Sequence, residues 1–190
     1  MSQLFFKKFK KKVPIDLDDE KVLRKYITTL SLKKGEHFLR SGEITDHISF
    51  IEKGSLRAYV LNPKGDENVV LFGIEGWTMG DLNSFIKQEP ATYSIDALED
   101  SELVLISKSA HDCLLKEMPK YETYQRILMT DAYMAIQKRT SNGINLPLEK
   151  RYQIFVQTYP KIAQRVPQYM VASYMGIAPE TLSRIRAKKD

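Results

Sequence analysis

The sequence predicts an α+β chain in three successive parts: a body of short β-strands, one long helix and a small all-helical domain. Three observations carry this. Glycines at 35, 42, 54, 65 and 76 punctuate strand-like runs, helical periodicity sets in at Pro119, and the last stretch reads as two helices about a lone glycine, "MVASYMGIAPETLSRIRAKKD". A chain of 190 residues, 43% hydrophobic and 28% charged, suits one or two folded domains with a real core.

The opening "MSQLFFKKFKKK" holds five lysines and no acid. It lacks the apolar core of a signal peptide and is expected to be a solvated tail, with Leu4, Phe5, Phe6 and Phe9 open to a membrane surface or to DNA. Asp16, Asp18, Asp19 and Glu20 then precede Leu23, Tyr26, Ile27 and Leu30 at helical spacing, predicting a short amphipathic helix. The runs "HFLR", "HISFIEK", "SLRAYVL", "ENVVLFGI", "TYSIDAL" and "SELVLIS" follow, spaced as in a sandwich, roll or barrel. "NPKG" at 62–65 is a hairpin turn, with Pro63 fixing φ and Gly65 free to turn left-handed.

Beyond Pro119, Tyr121, Tyr124, Leu128, Ala132, Ala135 and Ile136 form one stripe, while Ile127, Tyr133 and Met134 occupy other faces. A helix apolar on several sides needs cover on several sides. The segment from about 120 to 139 is therefore expected to pack on the β-body and on a second copy, through Tyr124, Leu128, Ala132 and Ala135. "TSNGIN" at 140–145 is expected to break it and act as the linker, dividing domain 1–139 from domain 145–190. Leu148, Tyr152, Phe155 and Tyr159 line the next helix, stopped at Pro160.

Residues 168–187 satisfy the demands of a helix-turn-helix. Ala172 takes the crossing, Gly176 the turn, and Val171, Ile177, Leu182 and Ile185 the buried positions. Pro179 suits the first turn of the second helix, where its missing N–H costs nothing. Charge supports the assignment: residues 140–190 hold eight bases against three acids, whereas the stretch before them, from residue 13, has more acids than bases. The DNA-facing set is Gln168, Glu180, Thr181, Ser183, Arg184, Lys188 and Lys189. Arg184 suits guanine, Glu180 suits cytosine, and the two lysines suit phosphates.

This order of parts resembles the CRP/FNR family of bacterial regulators over about residues 15–188. "LRSGEITDHISFIEKGSLRAYV" is similar to the family's first roll strands, and "GIAPETLSRI" to its recognition segment, with Glu180 and Arg184 at base-reading positions. The resemblance implies an N-terminal, cyclic-nucleotide-binding-like β-roll of the double-stranded β-helix or jelly-roll type, serving as sensor. It also implies a dimerisation helix, a pseudo-palindromic operator in double-stranded DNA, and RNA polymerase as a further partner. Pro179 departs from the arginine of the best-known members, so their operator is not carried over. The chain is also expected to lack the wing hairpin some members add after the recognition helix.

Family members that bind cyclic nucleotides hold the phosphate with Gly-Glu before a short helix and with an Arg-Ser pair. Here Gly80 and Asp81 stand at the first pair and Ala91 and Thr92 at the second, which removes the full positive charge. Arg57 alternates with Leu56, Ala58 and Val60 and should point away from the roll interior. An effector pocket is expected at Ala58, Val70, Gly80, Asp81, Ala91 and Thr92. Cyclic AMP and cyclic GMP are not its expected ligands, and any other small effector is left open.

Cys113 is the only cysteine, which excludes an intrachain disulfide and a Cys-ligated cluster and fits a reducing cytoplasm. His37, His47 and His111 lack metal-site spacing and read as surface or capping residues, no cofactor is expected, and no apolar run reaches a membrane span. No catalytic motif is present. The expectation is a cytoplasmic, homodimeric, sequence-specific transcription regulator and not an enzyme. The alternative is a ligand-binding roll whose helical tail docks a protein.

Overall fold

In the computed structural model, which describes residues 2–187, side chains alternating along the strands decide which layer each joins. Strand β8 (Ser101–Ser107) sends Leu103 and Leu105 into the roll and Val104 and Ile106 to its outer side. Two four-stranded sheets result, of order β1-β8-β3-β6 and β2-β7-β4-β5, with every pairing antiparallel. Their strands are β1 (Ile27–Leu32), β2 (His37–Leu39), β3 (His47–Lys53), β4 (Ser55–Leu61), β5 (Glu67–Ile74), β6 (Thr78–Met79) and β7 (Ser94–Ala97). Leu39, Ile51, Leu56, Ala58, Ile95 and Leu103 fill the space between the sheets. The turn from β3 to β4 requires Gly54: its φ is +95°, and a Cβ there would collide with Ser101.

The N-terminal segment is not a solvated tail. Gln3–Lys12 forms helix α1, which buries Phe5, Phe6 and Phe9 against Phe50 of β3, Leu114 and Tyr124. Leu4 N and Phe5 N donate to the Glu52 carboxylate at 2.7 and 3.0 Å, so a residue of β3 caps this helix. The lysines lie on the other side of α1, with Lys10 on Glu20 and Lys12 on Asp131.

Helix α2 (Leu17–Tyr26) opens with a capping box between Asp16 and Asp19. It is shorter than its apolar spacing predicted: Ile27 and Leu30 belong to β1, paired with Ile106 and Leu103. The β-branched run Ile27, Thr28, Thr29 favours strand, and pairing with β8 outweighs the helical register. Short α3 (Leu82–Lys87) and α4 (Lys108–Glu117) complete the roll.

Helix α5 runs from Pro119 to Asn145, through the segment expected to break it. Gly143 sits in open space within the helix, and the end comes at Leu146, because Pro147 disfavours helical geometry at the residue before it. The helical domain follows: α6 (Leu148–Thr158), α7 (Pro160–Arg165), α8 (Gln168–Met175) and α9 (Pro179–Ala187). It shares one core with Val69 and Phe72 of β5, so it is docked on the roll. Among the described residues no helix is long and apolar enough to cross a membrane.

Candidate nucleic-acid interface and effector pocket

Helices α8 and α9 meet as the sequence predicted. Ala172 is fully buried at their crossing, and Gly176 takes φ +69° at the turn, where its N–H reaches Ser173 O and that of Ile177 reaches Ala172 O. Pro179 is the first residue of α9, and Leu182 and Ile185 anchor it in the core. That packing turns Glu180, Ser183, Arg184 and Arg186 to solvent, with Thr181 half-buried. Glu180 and Arg184 are one turn apart, and neither is ion-paired among the described residues, so both are free to meet a base edge. Gln168 is different: it is only half exposed, and its Oε1 is buried without a hydrogen-bond partner. Lys188 and Lys189 lie outside the described residues.

Side chains bind this domain to the roll. Ser173 Oγ accepts from Val69 N at 2.9 Å and donates to Glu67 O at 3.2 Å. Arg139 of α5 donates to Val70 O at 2.8 Å and to Tyr174 O at 3.3 Å, with its guanidinium 4.1 Å from the Tyr174 ring centre. Arg165 pairs with Glu75 and Glu99, and pairing with Glu75 holds its already high pKa higher still.

The expected effector-pocket residues come together only in part. Ala58 and Ala91 share the roll core. Asp81 is buried at the N-terminus of α3, where its carboxylate accepts from Ser84 N at 3.0 Å, Thr92 N at 2.8 Å and Tyr93 N at 3.3 Å. The backbone donors on both sides of the expected phosphate site are thus taken by the chain's own anion. Gly80 is half-buried against Ile48, and Thr92 is exposed. Val70 does not join them: it is bulged out of the β4–β5 register, and its carbonyl serves Arg139.

Arg57 faces away from the roll core, as alternation predicts, yet it is buried. Its Nε and Nη2 clasp Asp96 at 2.8 and 2.9 Å, and Nη1 reaches Glu67 at 2.6 Å. Each of its three nitrogens is already engaged by a carboxylate, so the charge a phosphate would need is neutralised within the chain. His111, expected as a surface or capping residue, is also buried. Its Nδ1 lies 2.8 Å from Tyr121 Oη, and desolvation lowers its pKa.

The dimer-facing stripe is corrected at Tyr124. Tyr124 is buried within the chain, stacked on Phe9 at 4.1 Å, and burial pushes its pKa up to about 12. Leu128 is partly buried against the same core, while Ala132 and Ala135 are exposed. Met134 and Ile144 are exposed as well, and Met129, Tyr133 and Ile136, at 38%, 62% and 63% exposure, fall at i, i+4 and i+7 on one uncovered apolar face. Sequence periodicity places Ile136 in the stripe and Tyr133 on another face, and it does not show the cover that α1 gives Tyr124.

Residues 29–118 match the cyclic nucleotide-binding domain family. The chain is 23% identical over 165 residues to Electron transport regulator A of Shewanella oneidensis, covering 81% of this chain and 65% of that protein. It is 23% identical over 167 residues to the Transcriptional activator protein Anr of Pseudomonas protegens, covering 81% and 67%. It therefore spans about two thirds of the length of these relatives. Among solved structures, FixK2 from Bradyrhizobium japonicum superposes with a TM-score of 0.74 at 15% identity, over 85% of this chain and 83% of that one. The c-di-GMP responsive global regulator CLP of Xanthomonas campestris gives 0.71 at 15% identity, over 91% of each chain.

Proposed function

With the fold and domain order of the CRP/FNR family of regulators as the premise, we propose that this chain is a homodimeric, sequence-specific, DNA-binding transcription regulator. The observation that carries the proposal is the solvent face of α9. Glu180, Ser183 and Arg184 stand exposed over a helix fixed from below by Leu182 and Ile185, which is how a recognition helix presents side chains to a major groove. The similarity to the Transcriptional activator protein Anr of Pseudomonas protegens supports the same reading. Residues up to Asn145 form the sensing and dimerising part, and those after Pro147 the DNA-binding part. DNA and a second copy are the required partners, with RNA polymerase a third where the bound protein activates. A DNA partner implies the cytoplasm.

In this reading the seam between copies is Met129, Ala132, Tyr133 and Ile136, and two-fold symmetry implies a pseudo-palindromic operator. The roll does not take cyclic AMP or cyclic GMP. Asp81 already fills the amide donors a cyclic phosphate would need, and a second anion there would meet its charge without an arginine to offset it.

Mobility-shift measurements on genomic fragments at two salt concentrations test the regulator. Specific retardation that weakens with salt is expected, and absence of affinity for any duplex would refute it. Calorimetric titration with the two cyclic nucleotides tests the roll. No heat is expected, and micromolar affinity would show that Asp81 gives up its amides.

A further inference from the structure

A cleft of about 180 Å³ opens between the second half of α5, α6 and α8. Its wall is aromatic: Phe155 is buried, with the rings of Tyr159 and Tyr174 at centroid distances of 5.8 and 5.4 Å from it. Its rim is cationic, formed by Lys138, Arg139 and Arg151. Elsewhere this chain neutralises guanidinium groups with carboxylates, buried Arg57 with Asp96 and Glu67, and exposed Arg165 with Glu75 and Glu99. Here it does not. Arg139 and Arg151 donate only to the carbonyls of Val70, Tyr174 and Met175, and none of the three cations is paired with a carboxylate among the described residues.

Three neighbouring positive charges with no carboxylate partner among the described residues form an electrostatic trap for an anion, and a charge-assisted hydrogen bond to guanidinium or ammonium suits a carboxylate. The aromatic wall adds a second requirement, an apolar body that fills it. The cleft is open to solvent on one side, and its volume of about 180 Å³ is of the order that seats one benzene ring, about 150 Å³. An inorganic anion would leave the aromatic wall unfilled. We propose that this cleft is a binding site for a small monocyclic aromatic carboxylate. The ring would lie against Phe155, Tyr159 and Tyr174, and the carboxylate at Lys138 and the two arginines. Arg139 and Tyr174 also join the helical domain to the roll, so an occupant would touch the joint between them.

Calorimetry on the full chain tests this with three probes: benzoate, benzamide as its uncharged isostere, and inorganic phosphate as charge without a ring. Benzoate is expected to bind once per chain, with benzamide and phosphate each weaker by about tenfold or more. Lys138→Gln should weaken benzoate several-fold while leaving the melting temperature of the unliganded protein unchanged, since Lys138 is exposed. Thr158→Phe, at the exposed mouth of the cleft, should abolish binding by filling it. Three results would each overturn the proposal: no benzoate binding at millimolar concentration, benzamide binding as well as benzoate, or Thr158→Phe binding benzoate like the parent chain. None of these measurements involves DNA, so their failure leaves the regulator reading intact.

Discussion

Arg184 and His111 carry polar nitrogens in opposite surroundings, and each surrounding predicts a measurement. Arg184 is exposed on α9, so Arg184→Ala should leave the denaturation midpoint nearly unchanged. If its guanidinium spans a guanine edge, the same change should cost roughly 1–3 kcal/mol on the specific site and relax preference at one base pair. Equal loss of specific and nonspecific affinity would make α9 a basic surface and not a reader. His111 is buried beside Tyr121 and Phe85, and desolvation lowers its pKa below the ordinary 6.5. In the unfolded chain it still takes its proton near 6.5, so protonation favours unfolding. Its contribution to stability is complete above that value and is lost as pH falls toward the lowered folded value. The urea midpoint should therefore drop between about pH 7.5 and 5.5, and His111→Gln should flatten that drop. A slope unchanged in the variant would assign the effect to other groups.

Elements written as local patterns were readable; those that depend on distant cover were not. β3, β4, β5 and β8 fall on the runs the sequence marks out, because alternation and the glycine turns are local signals. The helix-turn-helix was equally legible, since Ala172, Gly176 and Pro179 each answer a steric demand within a short stretch. Helix α1 was missed because its lysines look like a tail, while the phenylalanines find their partners far along the chain, at Phe50 and Tyr124. Asp81 was expected as a pocket residue, but its three backbone donors come from the first turn of α3 and from Thr92 and Tyr93, which the sequence does not show to be adjacent. Phe9→Ala should cost about 3–5 kcal/mol of stability, as for other fully buried aromatics; a chain that melts like the parent would mean that α1 is not docked in solution. On α5, Tyr133→Asp should give monomers with an unchanged fold, because Tyr133 is 62% exposed in the single chain. Leu128→Asp is a poorer probe, since it would disturb the core under α1 as well. An intact dimer for Tyr133→Asp in sedimentation would move the seam off this face.

At the scale of the molecule, the helical domain is held by a few polar clasps and one shared apolar cluster, all on β5 and its neighbours. β5 is the last strand of its sheet, so one of its sides has no strand partner. Ser173 takes the outward amide of Val69 and gives its proton to Glu67 O, and Arg139 takes Val70 O. The helical domain thus acts as the missing neighbour of that strand. An open β-edge is a template for pairing with any extended chain. A roll separated from its helical domain, residues 1–146, would keep its own core yet present that edge together with the bared Val69 and Phe72. It should self-associate in a concentration-dependent way, and Val69→Lys should restore solubility; a stable, monodisperse roll would show the edge to be harmless. Release of the domain from the roll would then carry a hazard of its own: the surface freed for movement is also one that invites aggregation.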